Sequence, residues 1–275
     1  MNKLFAVVVA LTAAAQTPTA RPLAFEVASV RASQSQDMRD SGVQYLPGRF
    51  LAKNRPVGFL LLEAFNTIPQ LLVTAGADQR TLNLFYDIEA VPEKSAIAPN
   101  ATKKDRDEKL RLMLQSLLTD RFKMKTHRES KSMPVYAITI AAGGNKLKKA
   151  PLEEKDCADQ DNCHVFGGGP PSGIQGKAID LSDLARALST FSDRPVIDKT
   201  GIPGLYTIQT AGWTDIRPRP PRPGGGTPEQ RAEDAVIAAQ ASFTSALSAL
   251  GLRLEPQTAL IESIVIDHIE PPSGN

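Results

Sequence analysis

The sequence is poor in the residues that build metal and redox centres, with only three histidines and two cysteines among its 275 residues. So small a supply leaves little material for a histidine-rich metal site or a histidine relay, and we expect no cofactor. Charge of one sign is also missing, because 32 basic residues face 30 acidic ones. A near-neutral chain offers no electrostatic reason to bind nucleic acid, so we expect no nucleic-acid partner.

Familiar catalytic motifs are absent as well. The chain contains no G-x-S-x-G nucleophile elbow, no G-x-x-x-x-G-K-[ST] phosphate loop and no H-E-x-x-H metalloprotease helix. Hydrophobic residues make up 41% of the chain and charged residues 23%, which is typical of a soluble globular protein. The missing motifs leave enzymatic activity undecided and favour a non-enzymatic function.

Long apolar runs are missing except at the start of the chain. Residues 1–15 (MNKLFAVVVALTAAA) place Lys3 before an apolar stretch that ends in small residues, the pattern of a secretory signal peptide. A buried helix or strand is the alternative, but the proline-containing residues 16–22 would continue it poorly. No later segment approaches 18 apolar residues, so we expect no transmembrane segment in the mature chain. The predicted location is the periplasm or the extracellular space.

Export bears on the two cysteines, because an oxidising compartment permits a disulfide. Cys157 and Cys163 are six residues apart and are predicted to pair across a short loop. The alternative is a metal site of both cysteines with His164 and Asp159 or Asp161, but this spacing matches no known zinc pattern. A redox-active pair normally has the C-x-x-C spacing, which is also absent.

Hydrophobic periodicity indicates a unit that occurs four times, a short amphipathic helix followed by two strands. The helices are predicted near 56–66, after Asp105 or Asp107, from Asp180 or Ser182, and up to Gly251. Two hairpins are expected after the second and fourth helices, with turns at 130–133 and between 255 and 263. Strands at 25–31 and 49–53 extend the unit to β-α-β-β. We therefore predict an α+β fold of antiparallel or mixed sheets with short helices packed on them.

Proline and glycine positions indicate how these units are divided. We expect a first α+β sub-domain over 23–142, a glycine-, proline- and cysteine-containing linker or insertion over 143–176, and a second sub-domain over 177–271. Each sub-domain would contain two units. Residues 217–226 (RPRPPRPGGG) place a mobile surface loop at 214–230. An anionic partner for its arginines is the alternative interpretation.

Polar residues at the ends of the predicted strands are the nearest approach to a catalytic set. If these strands are neighbours, a histidine and a carboxylate could pair and form a general base. Solvated or salt-bridged strand ends are the competing interpretation. The candidates are His127, Glu129, Asp198, Asp267 and His268.

Several short segments of the chain form a recognisable combination. They are 25–30 (FEVASV), 112–123 (LMLQSLLTDRFK), 127–129 (HRE), 134–136 (PVY), 195–201 (PVIDKTG) with Gly204 and Tyr206, 266–268 (IDH) and 271–275 (PPSGN). Together they resemble a large paralogous family of exported acidobacterial proteins that carry a domain of unknown function. The resemblance covers nearly the whole mature chain and implies a periplasmic or secreted protein. It supplies no catalytic residues. The β-α-β-β unit is similar to the small N-terminal modules of secretins and TonB-dependent receptors, an analogy of fold alone.

These observations support one leading hypothesis and two alternatives. The leading hypothesis is a non-enzymatic module of the cell envelope or extracellular space that binds a protein, peptide or glycan. An exported hydrolase with an unfamiliar histidine and carboxylate site is the first alternative. An extracytoplasmic sensor or regulator domain is the second.

Overall fold

Three four-stranded sheets and several short helices form the part of the chain that the computed structural model describes, namely residues 22–157, 162–170, 172–213 and 241–272. This combination confirms the predicted α+β class. The expected signal peptide and the whole of the expected loop at 214–230 lie outside the described residues. No helix in the described ranges is long and apolar enough to cross a membrane.

The first sheet is antiparallel and comes entirely from the N-terminal part of the chain. Its strand order is β1-β5-β3-β2. Short helices lie between its strands, because β3 runs directly into α1 and α2 precedes β5. The bounds are β1 Phe25–Ala32, β2 Gly42–Leu46, β3 Arg49–Pro56, α1 Val57–Ala64, α2 Gln79–Leu82 and β5 Phe85–Pro92.

The longest helix, α3, covers Lys103–Arg121. The prediction that it begins after Asp105 or Asp107 was wrong, because Thr102 caps it by accepting a hydrogen bond from the Asp105 N–H at 3.1 Å. Asp107 lies inside the helix, where the ammonium of Lys103 bonds its carboxylate at 2.6 Å. The apolar stripe of α3 is buried as predicted, at Leu110, Met113, Leu114, Leu117 and Leu118.

The second sheet is built around two long strands, β6 (Lys125–Ile140) and β12 (Leu252–His268). They are antiparallel over almost their whole length, from the pair Leu252 and Ile140 to the pair His268 and Lys125. The short strands β10 (Val196–Asp198) and β4 (Leu72–Val73) complete the order β10-β6-β12-β4. The two predicted hairpins were therefore wrong, since each segment continues as one strand and pairs with the other.

The orientation of the prolines in β6 and β12 allows these strands to continue without a turn. The Tyr136 N–H bonds the carbonyl of Pro195, the residue before β10, so the backbone groups of Tyr136 point away from β12. Pro256 lies opposite Tyr136, and its nitrogen therefore faces the outer edge of β12. Pro134 is two residues from Tyr136 and has the same orientation. Neither proline removes a hydrogen bond between β6 and β12, and such positions tolerate proline.

The third sheet has the order β7-β11-β9-β8. Its strands are β7 Lys148–Lys149, β8 Val165–Gly169, β9 Gly173–Ile179 and β11 Tyr206–Gln209. Helix α4 (Leu181–Ser189) follows β9, and residues 241–248 are also helical. The expected linker at 143–176 thus supplies β7, β8 and the start of β9. The division into sub-domains and the fourfold repeat stay predictions.

Two large hydrophobic clusters hold these layers together. The first joins the N-terminal sheet and α3 to the end of β12, through Ile264 and Ile266. The second joins α4, the third sheet and the helix at 241–248 to Tyr136, Ile138 and Leu252. Strand β12 therefore contributes to both clusters, whereas β6 contributes Tyr136 and Ile138 to the second cluster. The first half of β6, from Lys125 to Ser132, is exposed.

Candidate functional site

The structure brings one of the predicted pairs together at the end of the β6 and β12 ribbon. His127 Nδ1 lies 2.9 Å from both carboxylate oxygens of Asp267. The two side chains are 55% and 44% exposed. The next residue in the chain, His268, has a different partner from His127. Its Nε2 lies 2.7 Å from Glu270 Oε1. The arrangement is a solvent-exposed contact between an imidazole and a carboxylate.

The other two predicted residues are placed elsewhere. Glu129 is exposed on β6, opposite Ser263. Asp198 aligns with Ile138, eleven residues further along β6 than His127, so it cannot join the same site. Its carboxylate accepts hydrogen bonds from the N–H and hydroxyl of Thr200, at 2.9 and 2.7 Å. Asp198 therefore stabilises the turn after β10.

A more enclosed polar cluster surrounds His164. Its Nδ1 lies 2.5 Å from Asp183 Oδ2, and its Nε2 lies 3.0 Å from Glu154 Oε2. Asp180 contributes a third carboxylate. One of its oxygens lies within 4.8 Å of a ring nitrogen of His164 and of a carboxylate oxygen of Asp183. Only 11% of the His164 side chain is exposed. We refer to His164, Glu154, Asp180 and Asp183 as the His164 cluster.

Helix α4 positions two members of this cluster. Asp180, one of the two start positions that the sequence left open, is the N-cap residue, and its carboxylate accepts a hydrogen bond from the Asp183 N–H at 2.8 Å. Asp183 lies in the first turn, where a negative charge interacts favourably with the helix dipole. Both carboxylates are thus fixed at the same end of α4 for reasons local to the sequence.

A disulfide and an uncommon backbone conformation position the other two members. Cys157 and Cys163 form a disulfide and are both fully buried. Glu154 begins the short helical turn Glu154–Cys157 before it, and His164 follows it directly. His164 has a φ of 53°, a left-handed conformation in which histidine is enriched. The disulfide therefore holds Glu154 and His164 near each other.

The electrostatics of the cluster favour a charged imidazole. The hydrogen bond with Asp183 is the main cause that raises the pKa of His164 above its ordinary value, and the charges of Asp183 and Glu154 add to it against the opposing effect of burial. The pKa of Asp180 is lowered, because hydrogen bonds from Ser182, Asp183 and Lys104 outweigh its burial. Lys104 Nζ reaches Asp180 Oδ2 at 3.1 Å.

The contacts of the His164 cluster fit an ion-pair network. Each ring nitrogen of His164 faces a carboxylate oxygen, and a protonated imidazole donates from both nitrogens. The positive charge of Lys104 already lies against Asp180. The alternative metal site predicted with Cys157 and Cys163 was wrong, because those sulfur atoms are bonded to each other. Asp159 and Asp161 lie outside the described residues.

A pocket of about 490 Å³ adjoins the His164 cluster through Glu154 and Asp180. Its apolar walls come from two proline-containing segments, 150–152 and 203–205. The charged side chains that line it are Lys149, Glu153, Glu154 and Asp180. Carboxylates thus outnumber ammonium groups in the lining, and no aromatic ring is among the described lining residues.

One oxygen of Glu154, a residue that lines the pocket, has an unmet hydrogen-bonding need. Within the described part of the chain, Glu154 Oε1 has no hydrogen-bond partner and no contact with solvent. An acceptor buried in this way costs free energy until a donor reaches it. Glu154 therefore has one oxygen held by His164 and one oxygen that an incoming N–H group could satisfy.

A second pocket of about 440 Å³ lies where the residues after α1 meet α4 and β10. Asn66, Ile68 and Leu71 line one side, and Arg186 and Asp198 line the other. Neither this pocket nor the one beside Glu154 includes His127, Glu129, Asp267 or His268. The predicted pair of His127 and Asp267 therefore lies outside both of these pockets.

Sequence reasoning missed the His164 cluster because its members come from separate elements. His164 was considered only as a partner of the cysteines. The available signal was the capping pattern Asp180-x-x-Asp183, together with a histidine placed directly after a cysteine that forms a short disulfide loop. That pattern locates the helix end, but it does not show which side chain packs against it.

Comparison with known proteins gives one match. No curated protein matches the chain, and no solved structure matches it. The family model for proteins of unknown function called DUF3738 matches residues 60–269, which include every member of the His164 cluster and His127 with Asp267. Because the match covers more than half of the chain, the protein belongs to the DUF3738 family.

Proposed function

We propose that the protein is an exported, non-enzymatic binding module of the cell envelope or extracellular space, and that it binds a basic side chain of a peptide or protein. The observation that carries the proposal is the pocket beside Glu154, where a buried carboxylate oxygen has no partner among the described residues. Ligand pockets typically combine apolar walls with a few polar groups that fix orientation, and this pocket has that composition.

The charges of the pocket favour a cation as the ligand. Glu153, Glu154 and Asp180 line it together with Lys149. Lys155 pairs with Glu153 and Lys104 pairs with Asp180, so Glu154, which has an unpartnered oxygen, is the carboxylate that would receive the ligand. A lysine or arginine side chain would place its alkyl stem against Pro151, Leu152 and Leu205 while its charged end reaches Glu154. A glycan is the weaker candidate, since the described lining contains no aromatic ring on which a sugar could stack.

Binding of capped pentapeptides tests this proposal. The acetylated and amidated peptide with lysine at its centre and alanine elsewhere should bind at pH 7.5, as measured by calorimetry. The same peptide with glutamine at the centre should bind about tenfold more weakly, because the charge-assisted bond is lost. Glu154→Gln should weaken binding of the lysine peptide to a similar extent.

Glu26→Gln is the matched control for this experiment. Glu26 is an exposed carboxylate on β1, in the first sheet and outside the pocket lining. Its replacement changes the net charge equally but should leave the affinity unchanged. Equal affinity for the lysine and glutamine peptides, or equal loss in Glu154→Gln and Glu26→Gln, would refute a specific carboxylate site.

Export is tested separately from binding. We infer that residues 1–15 direct the chain across a membrane and are removed near Ala15, as their composition suggests. Expression of the full chain in a bacterial host with two membranes should yield a periplasmic product whose intact mass lacks about the first 15 residues. A cytoplasmic product of full mass would contradict export.

An exported hydrolase is the second candidate, and the hydrogen bond between His127 and Asp267 favours it. Such a pair can tune a general base. The double variant His127→Asn with His268→Asn should abolish hydrolysis of a simple chromogenic ester if the pair is catalytic. Turnover that is unchanged in this variant would exclude these residues from catalysis.

A further inference from the structure

We propose that His164 is a pH-dependent clamp that controls the pocket beside it, holding Glu154 when it is protonated and releasing Glu154 to a cationic ligand when it is neutral. The proposal rests on the binding function proposed above and specifies how that site is regulated. It is carried by the geometry of one imidazole that joins two carboxylates from different parts of the fold.

The first step concerns the number of protons on the ring. A neutral imidazole has one N–H, and an imidazolium has two. His164 faces a carboxylate oxygen with each nitrogen, Asp183 Oδ2 at 2.5 Å and Glu154 Oε2 at 3.0 Å. Both bonds can be made only by the protonated ring. A neutral ring must give up one partner.

The second step identifies the partner that is released. Asp183 is held in the first turn of α4, and its contact with His164 is the shorter one. Glu154 belongs to a four-residue turn and its side chain is 40% exposed. When the ring loses a proton, we therefore expect it to keep Asp183 and to release Glu154, which lines the pocket.

The third step accounts for the other charges around the ring. From α4, Asp183 and Asp180 face the imidazole, and Arg186 lies 4.0 Å from Asp183. From α3, Lys104 pairs with Asp180. From the turn before the disulfide comes Glu154. The three carboxylates outnumber the two more distant cations, and this balance agrees with the raised pKa of His164.

The fourth step gives the direction of the effect on binding. The imidazolium is a positive charge 3.0 Å from the carboxylate that would receive the ligand's cation. Deprotonation removes this competing charge and frees one carboxylate oxygen, so the affinity for a cationic ligand should rise with pH. Lysine itself stays charged below about pH 10, and the ligand therefore does not cause the change.

Binding of the lysine pentapeptide at pH 5.5, 7.0 and 8.5 tests the clamp. The unaltered protein should bind about five- to tenfold more tightly at the highest pH than at the lowest, the size expected from one charge removed near the ligand. His164→Asn should bind with the high-pH affinity throughout, because asparagine also tolerates the left-handed backbone but carries no charge. An identical pH dependence in His164→Asn and the unaltered protein would overturn the proposal.

His127→Asn is the control variant, since His127 is exposed on the β ribbon and lies outside the pocket lining. It should show the same pH dependence as the unaltered protein. If only His127→Asn lost the pH dependence, the exposed contact between His127 and Asp267 and not the clamp would be responsible.

A second readout separates failure of the clamp from failure of the binding function. NMR titration of the His164 ring should give a pKa that falls in Glu154→Gln, and the Glu154 amide signal should shift along the same titration curve. If no peptide binds at any pH but these NMR results hold, the binding proposal fails and the clamp stands. If the Glu154 amide does not follow His164, the clamp fails whatever the peptide does.

Discussion

Leu252 and Ile264 lie in the same strand, β12, but are buried in different hydrophobic clusters. Leu252 packs with α4 and the third sheet, and Ile264 packs with α3 and the first sheet. The strand between them is paired with β6 throughout. Because a β ladder cannot break at one point without losing the pairing on either side, we expect the two clusters to unfold together.

Two leucines in β12 provide a matched test of this arrangement. Leu252→Ala removes a fully buried side chain and should lower the free energy of unfolding by about 2–5 kcal/mol. Leu260→Ala, at a position that is 72% exposed, should change it by less than about 0.5 kcal/mol. Urea unfolding followed by circular dichroism measures both.

The shape of the transition is the second observation in that experiment. Leu252→Ala should shift one transition without splitting it, as should Ile264→Ala in the other cluster. Two separate transitions in either variant would show that β6 and β12 do not couple the clusters.

Gly76 offers a test of the contact that supports Asp267, the partner of His127. A Cβ atom at position 76 would lie 2.2 Å from the backbone oxygen of Asp267, and the Gly76 N–H bonds the Ile266 carbonyl. Backbone cannot yield as a side chain can, so Gly76→Ala should destabilise the fold by about 1–3 kcal/mol. Thermal unfolding measures the loss.

Gly143→Ala is the control for the Gly76 prediction. A Cβ atom at position 143 would meet nothing within 4 Å, and its backbone does not require glycine. Its effect should be neutral or slightly stabilising, because alanine restricts the unfolded chain more than glycine does. Equal losses in both variants would contradict the close approach at Gly76.

The elements that the sequence predicted correctly are those determined by local chemistry. The amphipathic stripe of α3 and the start of α4 depend on residues within one or two turns. The stripe is confirmed, and Asp180 is the one of the two predicted starts that caps α4. The prediction of two hairpins was wrong because a turn is predicted from neighbouring residues, whereas the partner of a strand is set by residues far away in the chain. Only the pairing with β12 shows that Pro134 faces outward and can remain in a strand.

The candidate site was only partly predictable for the same reason. His127 and Asp267 were recognised as strand-end residues, and the antiparallel register of β6 and β12 brings them together. His164 and Asp183 are 19 residues apart and meet because β8 and β9 pair between them. A pattern of residue types carries no information about that register, which depends on the packing of the whole sheet.

The disulfide is predicted to support both the fold and the pocket. Cys157 and Cys163 are six residues apart, so closing their loop removes chain entropy worth about 2 kcal/mol from the unfolded state. Cys157→Ala with Cys163→Ala should lower stability by about that amount. The lysine peptide should also bind more weakly, because the bond fixes the turn Glu154–Cys157 and with it the position of Glu154 in the pocket.

Reduction provides the control for the disulfide prediction. The chain has two cysteines only, so dithiothreitol should destabilise the unaltered protein and leave the double alanine variant unchanged. Weaker peptide binding without loss of stability would still be consistent with the role in the pocket. Unchanged stability and unchanged binding in the reduced protein would exclude both roles.

The pH dependence of stability should identify His164 as a group that is protonated in the folded protein. Its folded-state pKa is raised above the ordinary value of 6.5, so the folded state binds the proton more tightly than the unfolded state. This stabilisation is fully present below about pH 6.5 and is lost as the pH rises through the folded-state pKa.

At pH 5.5 the unaltered protein should exceed His164→Asn by about 1–3 kcal/mol in the free energy of unfolding, and the difference should shrink towards pH 9. Urea unfolding at pH 5.5, 7 and 9 measures this trend, and His127→Asn should differ from the unaltered protein by less than about 0.5 kcal/mol throughout. A deficit in His164→Asn that is constant or grows with pH would mean that the ring is neutral when it contacts Asp183 and Glu154.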